Sequence, residues 1–398
     1  MTHVKNPVSG KRRAYRGTTT AAGTALVLFA AVSCGSSDSG DGTSGPIKLG
    51  AIVSLGGSSH AFGPTKIDKT VDAYFEDVNA AGGIDGRKIE YSVVDDSGTP
   101  NGAAQAARKL VGDGVVALVG GASYASCATN EGYYKQNDIS AIEAIGATER
   151  CVTSSNITQV NPSPPTEFKL MLKFGSEELN LTRQCVIKTA TSLSEAFRKA
   201  APEVEAKTGD KLAFQDYSVP ENQTDYTPDL LKAKSAGCQS ILIAGGPQQT
   251  PAVAQQMQTQ GMDDVVLLQM SGSYDTAVGK ALAKFKIPMY AGSSFAPSDT
   301  SSQDMRDYTD FMAEHDLPVS SFTEGAYLSA KYTVDVLKGM DGPITAETVS
   351  KALSDMSPIK NDLAGTPFEF GASNDAIMVG KLENGVWKPV SGTWFTWK

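Results

Sequence analysis

Alternation of strand-like and helix-like segments is the feature that most constrains the fold of this chain. Residues 47–53 form an apolar run typical of a buried strand. Apolar residues then recur with the i, i+3, i+4, i+7 spacing of an amphipathic helix, at Val71, Tyr74, Phe75 and Val78. Residues 89–94 are again strand-like. Repetition of this pattern predicts a parallel sheet with helices on both faces.

The same pattern continues and then restarts after the Pro-rich segment 161–165. Before this break, we predict further strands at 115–119 and 140–145. After it, a second unit of similar size follows, with strands predicted at 185–189, 212–217, 240–244 and 265–268. A long helix is predicted at 325–337, and Trp387, Trp394 and Trp397 fall in a short β-like tail. The predicted fold class is α/β, with two doubly wound parallel-sheet lobes and a ligand cleft at the carboxyl ends of their strands.

The first 46 residues have the composition of an export signal and a tether. A basic stretch ending at Arg16 precedes an apolar segment over residues 20–32, the layout of a secretory signal. Small residues before Cys34 resemble a bacterial lipoprotein signal, which implies that residues 1–33 are removed and Cys34 is acylated. The alternative is a plain signal peptide. Residues 34–46 contain Gly, Ser, Asp, Thr and Pro after the Cys, and predict a flexible linker.

The charge distribution excludes several classes of partner. The chain has 35 Lys+Arg and 44 Asp+Glu, and residues 1–33 hold five of the basic residues and none of the acidic ones. The remainder therefore carries 30 basic and 44 acidic residues, a net charge of −14. So acidic a chain is not expected to bind nucleic acid or to dock electrostatically on anionic lipid.

Four cysteines remain beyond Cys34, namely Cys127, Cys151, Cys185 and Cys238. An even number in an exported protein predicts two disulfides, and four cysteines allow three pairings. Pairing Cys127 with Cys151 and Cys185 with Cys238 is favoured because each pair falls within one predicted lobe. The alternative is four reduced, buried thiols. No C-x-x-C spacing is present, so no metal site is predicted.

Local catalytic motifs are absent from the sequence. There is no phosphate-binding G-x-x-x-x-G-K-[ST] loop, no G-x-G-x-x-G after a strand and no G-x-S-x-G elbow. Apart from His3, the histidines are His60 and His315. His315 is interpreted as a solvated helix end. We therefore predict a binding protein without catalytic residues or cofactor.

Residues 50–120 resemble the Leu/Ile/Val-type (type I) periplasmic binding proteins of ABC importers. The resemblance rests on Phe62-Gly63, on the segment Asn79-Ala-Ala-Gly-Gly-Ile-Asp-Gly86 and on Val94-Asp-Asp96. It extends through the helix ending Arg108-Lys-Leu-Val111 to the strand ending at Gly120. Further along the chain it becomes a likeness of pattern and length. It implies two lobes joined by a three-strand hinge that close on a small polar ligand.

The resemblance also implies lobe boundaries and ligand-binding residues. Lobe I would comprise residues 47–165 and about 291–365, and lobe II residues 166–290 and about 366–398. In lobe I, the family binds the ligand carboxylate with hydroxyls and backbone N–H groups. The matching positions are Ser123 and Ser126 after the third strand, and Gly146, Ala147 and Thr148 after the fourth, with Phe62 and Tyr124 as apolar walls.

Lobe II departs from the family pattern. The acidic residue that pairs with the ammonium group of an amino acid is expected near Ser271–Ser273, where the sequence has none. The candidates there are Gln248, Tyr274 and Asp275, and Asp275 is equally interpretable as a helix N-cap. The ligand is therefore expected to be an amino acid or a related carboxylate or amide.

The leading functional hypothesis is an extracytoplasmic, lipid-anchored solute-binding protein that delivers its ligand to an ABC permease, most simply as a monomer. A sensing receptor on the same scaffold is the main alternative, and a secreted hydrolase the second. The hydrolase lacks a recognisable catalytic constellation in the sequence.

Overall fold

The computed structural model describes residues 44–56, 64–146, 148, 150–191, 193–220 and 222–397. The predicted signal peptide, the predicted acylation site Cys34 and most of the predicted linker lie outside these ranges, as do Phe62 and Ala147. Within them, no helix has both the length and the apolar character needed to cross a membrane.

The first sheet contains five parallel strands: β1 (Ile47–Val53), β2 (Ile89–Asp95), β3 (Ala117–Gly121), β4 (Ala141–Glu143) and β5 (Ile157–Gln159). Their order is β2-β1-β3-β4-β5. Adjacent residues of β1 enter separate apolar clusters, Ala51 on one face and Ile52 on the other. Helices cover both faces, as the continuous apolar strands predicted.

The second sheet repeats this winding and adds antiparallel strands at one edge. Its strands are β6 (Gln184–Thr189), β7 (Phe214–Val219), β8 (Ser240–Ala244), β9 (Val266–Gln269), β10 (Met289–Ser293), β11 (Ala376–Glu383), β12 (Val386–Pro389) and β13 (Phe395–Thr396). The order is β7-β6-β8-β9-β10-β11-β12, and β13 pairs with β11. The first five of these strands are parallel. β11, β12 and β13 pair antiparallel and were predicted only as a β-like tail.

Twelve helices in the described ranges connect these strands: α1 (Ile67–Ala80), α2 (Pro100–Gly112), α3 (Ser126–Gln136), α4 (Arg150–Thr153), α5 (Pro164–Glu177), α6 (Ser194–Thr208), α7 (Thr227–Ser235), α8 (Thr250–Thr259), α9 (Thr276–Leu282), α10 (Gln303–Glu314), α11 (Ser321–Lys338) and α12 (Ala346–Ser354). The chain passes between the sheets three times, before α5, after β10 and before β11. α11 shares an apolar cluster with β1 and α1, although in sequence it lies between β10 and β11 of the second sheet.

Local sequence chemistry explains the start of α11. Ser320 is its N-cap, and the side chains of Ser320 and Thr323 bond each other's backbone N–H groups in a capping box. Twelve of its eighteen residues are buried, including Tyr327 and Leu328. The helix is therefore stabilised mainly by tertiary packing.

Three predicted strands differ from the structure by two residues or more at one end. The third strand was predicted at 115–119 and lies at Ala117–Gly121, because the Val115 N–H bonds the Leu110 carbonyl at the end of α2. The fourth, predicted at 140–145, is shorter, and the strand predicted at 212–217 begins two residues later, at Phe214.

His315 differs from its interpretation as a solvated helix end. It does follow the last residue of α10. Its side chain is only 21% exposed, and Nε2 lies 2.9 Å from Asp77 Oδ2 on α1. The ring also packs against Phe311. The residue therefore joins two helices, because the C-terminal parts of α10 and α1 meet through side chains.

Both predicted disulfides are present. Cys127 is bonded to Cys151 and Cys185 to Cys238, with Cα–Cα distances of 5.2 and 5.8 Å. The first joins α3 to α4, and both of these helices follow loops predicted to bind ligand. The second lies where β6 pairs with β8. Each disulfide therefore joins two segments that belong to the same sheet and its covering helices. The pairing is the predicted one.

Candidate ligand-binding site

The carboxyl ends of β1 and β3 meet at the point where the strand order of the first sheet reverses. Backbone pairing continues past both strands, since the Ser54 N–H donates to the Ala122 carbonyl at 2.9 Å. Open α/β sheets bind ligands in the crevice at such a switch point. The predicted loop 121–127 therefore lies at the expected edge of the sheet.

The buried Asp96 carboxylate links the loops that follow β1 and β3. Ser54 Oγ donates to Asp96 Oδ1 at 2.7 Å, and Ser123 Oγ donates to Asp96 Oδ2. Ser123 Oγ also accepts the backbone N–H groups of Ala125 and Ser126, at 3.0 and 2.9 Å. The hydroxyl proton of Ser123 is thus directed at Asp96, and the side chain shapes the loop that leads into α3.

Ser126 points into the packing between α2 and α3. Its Oγ lies 3.1 Å from the Tyr134 hydroxyl and 3.2 Å from Asn130 Nδ2, and the residue is 1% exposed. The predicted donation of this hydroxyl to a ligand would require it to leave these partners. Tyr124, by contrast, is 44% exposed at the same loop, as a ligand-facing wall requires.

Gly146, in the loop after β4, is tightly packed. The Gly146 N–H donates to Asn161 Oδ1 at 2.8 Å. A Cβ at Gly146 would lie 1.7 Å from Gln159 Oε1, so only glycine fits there without displacement of Gln159. Thr148 is 9% exposed, and its Oγ1 lies 3.4 Å from Cys151 Sγ. Within the described part of the chain, the Thr148 hydroxyl therefore has a sulfur atom, a weak hydrogen-bond partner, beside it.

In the second sheet, the three residues predicted to bind ligand have different surroundings. Gln248 is exposed in the turn after β8. Tyr274 stacks on Trp387 with 5.8 Å between ring centroids. Burial raises the pKa of Tyr274, with contributions from the charges of Asp299 and Glu324. Asp275 is the N-cap of α9 and accepts the N–H groups of Ala277 and Val278, at 2.7 and 3.1 Å.

Three buried carboxyl groups near these loops were not identified from the sequence: Glu143, Glu167 and Glu324, each at most 4% exposed. Burial raises the pKa of Glu143 to about 8, with a contribution from the charge of Asp96. Burial raises the pKa of Glu167 to about 7, although hydrogen bonds from Ser271 act in the opposite direction. Burial alone raises the pKa of Glu324 well above its usual range.

The sequence contained one weak signal for these carboxyl groups. Glu143 interrupts the apolar run Ala141-Ile-Glu-Ala-Ile145 in a predicted buried strand. Glu167 and Glu324 lie in helical segments whose burial depends on distant elements. Among the described residues, no group of three or more His, Cys, Asp or Glu side chains is arranged to hold a metal ion.

Comparisons with known proteins agree with this architecture. A family model described as periplasmic binding protein matches residues 46–382. The Leu/Ile/Val-binding protein homolog 3 of Brucella melitensis is 23% identical over 351 residues, covering 84% of this chain and 93% of that protein.

Solved structures share the fold at low sequence identity. The branched-chain amino acid transporter substrate-binding protein LivJ from Streptococcus pneumoniae, in complex with isoleucine, matches with a TM-score of 0.72 and 19% identity. The match covers 88% of this chain and 99% of that one. A fatty acid ABC transporter substrate-binding protein from Thermomonospora curvata matches with a TM-score of 0.73 and 17% identity, covering 90% and 95%.

Proposed function

Because this chain belongs to the periplasmic binding protein family, we propose that it is the extracytoplasmic solute-binding component of an ABC importer. It captures a small polar ligand between two lobes and presents it to a membrane permease. Its chemistry is binding alone, in agreement with the absence of catalytic motifs from the sequence.

The observation that carries this proposal is the pairing of two similarly wound sheets. Both have the internal order 2-1-3-4-5, and the chain connects them three times. Polar loops follow β1, β3 and β4 in one sheet and β8 and β9 in the other. A ligand that contacts both sets of loops stabilises the closed arrangement over the open one by its differential affinity.

The proposed ligand is an amino acid or a related carboxylate or amide. Relatives of this chain include a Leu/Ile/Val-binding protein homologue and a fatty acid transporter component. The compounds in these names share a carboxylate group. Thr148 and the backbone around it are proposed to receive this group, and Tyr124 to cover an apolar part of the ligand. The proposed lobes are residues 47–165 with about 291–365, and 166–290 with about 366–398.

The proposal also includes a lipid anchor and a monomeric state. Acylation of Cys34 would hold the folded body outside the membrane on the linker 34–46. A monomer suits delivery to a permease because one ligand-loaded molecule docks at a time.

The direct test is to identify the bound molecule. The full chain is expressed in an exporting host, purified and denatured, and the released small molecules are measured by mass spectrometry. One compound at near-stoichiometric amount, which also raises the Tm of the refolded protein, is the expected result. Loss of uptake of that compound in a strain lacking the gene would separate transport from sensing. Absence of any released or stabilising compound would contradict the proposal.

A further inference from the structure

The disulfide of the first sheet joins the two helices that follow the loops proposed to bind ligand. Cys127 is the second residue of α3, which follows the loop after β3. Cys151 is the second residue of α4, which follows the loop after β4. Their Cα atoms are 5.2 Å apart, and both side chains are at most 1% exposed. One buried covalent bond therefore fixes the distance between the ends of these two loops.

Thr148 contacts this disulfide directly. Its Oγ1 lies 3.4 Å from Cys151 Sγ, and its backbone carbonyl accepts the Cys151 N–H at 3.1 Å. The hydroxyl proposed to receive the ligand and the backbone beside it are thus both in contact with one half of the disulfide. A displacement of Cys151 therefore displaces Thr148 as well.

α4 is too short to hold its position by its own helical hydrogen bonds. It has four residues, of which Cys151 alone is buried. Isolated helices of this length do not form in water. Arg150 pairs with Glu131 of α3 at 3.5 Å, but its side chain is 58% exposed, and an exposed ion pair contributes little. The main buried attachment of α4 is therefore Cys151, which packs in an apolar cluster with Cys127.

The disulfide of the second sheet has no such relation to the proposed site. Cys185 is the second residue of β6, and Cys238 precedes β8 by two residues. This bond therefore lies at the amino ends of its strands, whereas the loops proposed to bind ligand follow the carboxyl ends. It closes the longer loop, 53 residues against 24, and is expected to contribute at least as much to stability. The two bonds differ in their position relative to the site.

We propose that the Cys127–Cys151 disulfide positions the Thr148 loop for the ligand, so that it determines ligand affinity in addition to stability. This inference rests on the proposed function. The bond holds α4 against α3 and thereby keeps the Thr148 hydroxyl in its binding position before the ligand arrives. Without the bond, binding must also order this loop, and the cost of that ordering is subtracted from the affinity.

Two pairs of substitutions test this proposal, with calorimetry at neutral pH as the readout. Leucine and 4-methylpentanoate are the probes, because they share a carboxylate and a branched skeleton. Alanine replaces each cysteine, since a serine at 151 could bond the Thr148 hydroxyl. Cys127→Ala with Cys151→Ala is expected to weaken probe binding at least about tenfold. The control, Cys185→Ala with Cys238→Ala, is expected to keep its affinity within about twofold, although it loses at least as much stability.

The single variant Cys127→Ala separates the covalent bond from the sulfur atom beside Thr148. It breaks the bond and leaves Cys151 in place, and it is expected to weaken binding as the double variant does. Wild-type affinity in folded Cys127→Ala protein, checked by its Tm, would refute the assignment of the effect to the bond. An equal loss of affinity in both alanine pairs would show a general effect of lower stability and would also overturn the inference.

A measurement on the wild-type protein tests the same coupling even where an alanine variant does not fold. The protein is equilibrated in dithiothreitol buffers with and without saturating probe, and the reduced fraction of each disulfide is measured by alkylation and mass spectrometry. Coupling between two equilibria is reciprocal, so a bond that raises affinity tenfold becomes about tenfold harder to reduce when the probe is bound. This shift is expected for Cys127–Cys151 and not for Cys185–Cys238. An equal shift of both bonds, or of neither, would overturn the inference.

The outcomes distinguish this inference from the proposed function. If neither leucine nor 4-methylpentanoate binds, the compound released from the denatured protein serves as the probe. A probe that binds the wild-type protein but is insensitive to the Cys127–Cys151 bond refutes the inference and leaves the proposed function intact. If no compound binds or is released, the proposed function fails and the inference fails with it.

Discussion

The carboxyl group of Glu167 accepts hydrogen bonds from both the backbone N–H and the hydroxyl of Ser271, 104 residues further along the chain. This contact fastens the first turn of α5 to the turn after β9. α5 follows the first crossing between the sheets, so the contact fixes one end of that crossing to the rim of the second sheet. A buried carboxyl group is thereby held at the loop where the sequence offered none.

Glu143→Gln is expected to stabilise the protein increasingly as the pH rises. The folded-state pKa of Glu143 is raised to about 8 from 4.5, so the folded protein holds this proton more tightly than the unfolded chain. The wild-type protein therefore loses stability as the pH rises from about 4.5 to about 8. The variant has no carboxyl group at this position and does not lose it. We expect a gain on the order of 1–3 kcal/mol at pH 8 and little at pH 4.

Denaturant unfolding at several pH values measures this effect. Glu90→Gln is the control, because Glu90 is an exposed strand residue on β2. Its pH profile should run parallel to that of the wild-type protein. A constant difference between Glu143→Gln and wild type from pH 4 to pH 8 would argue against the raised pKa.

Thr148→Ala and Ser126→Ala are expected to affect different properties. Loss of the Thr148 hydroxyl should weaken ligand binding by about 1–3 kcal/mol, or tenfold to a hundredfold, with little change in Tm. Loss of the buried Ser126 hydroxyl removes one hydrogen-bond partner each from Tyr134 and Asn130, which still contact each other, and should cost about 1 kcal/mol of stability. Calorimetry with the identified ligand and thermal unfolding provide the two readouts, and unchanged affinity in Thr148→Ala would exclude the loop after β4 as the carboxylate site.

Each disulfide should contribute substantially to stability. The closed loops span 24 and 53 residues, which corresponds to about 3 and about 4 kcal/mol of lost unfolded-state entropy. Cys127→Ser with Cys151→Ser, and Cys185→Ser with Cys238→Ser, should both lower the denaturation midpoint, the second pair more. Thiol titration of the denatured, unreduced domain should find none of these four cysteines reactive. Four reactive thiols would rule out both bonds.

Cys34→Ser is expected to abolish membrane association. The apolar segment, the small residues before Cys34 and the flexible spacer after it are together typical of an acylated N-terminus. Fractionation of cells that express wild type and variant, with metabolic labelling by a fatty acid, measures the effect. Wild-type protein that is unlabelled and freely released outside the cell would instead indicate the plain signal peptide.

The sequence alone determined the layered architecture and favoured the disulfide pairing that the structure has. The predicted strands 47–53 and 240–244 coincide with β1 and β8, because a continuous apolar run between turn residues is a local property of the chain. The repeat of strand and helix then leaves few topologies, since parallel strands need crossover helices of consistent hand. Cysteines placed in the same predicted lobe were the ones found bonded.

Only the tertiary structure decided which polar groups are buried and what they bind. Ser123 was predicted to offer its hydroxyl to the ligand, yet the hydroxyl proton is directed at Asp96, 27 residues earlier. Nothing in the sequence pattern distinguished Glu167 and Glu324 from other helix residues, yet both are buried. Hydrogen-bond partners and desolvation depend on segments that are distant in sequence and close in space. The periodicity of apolar residues along the chain does not show which segments will be close.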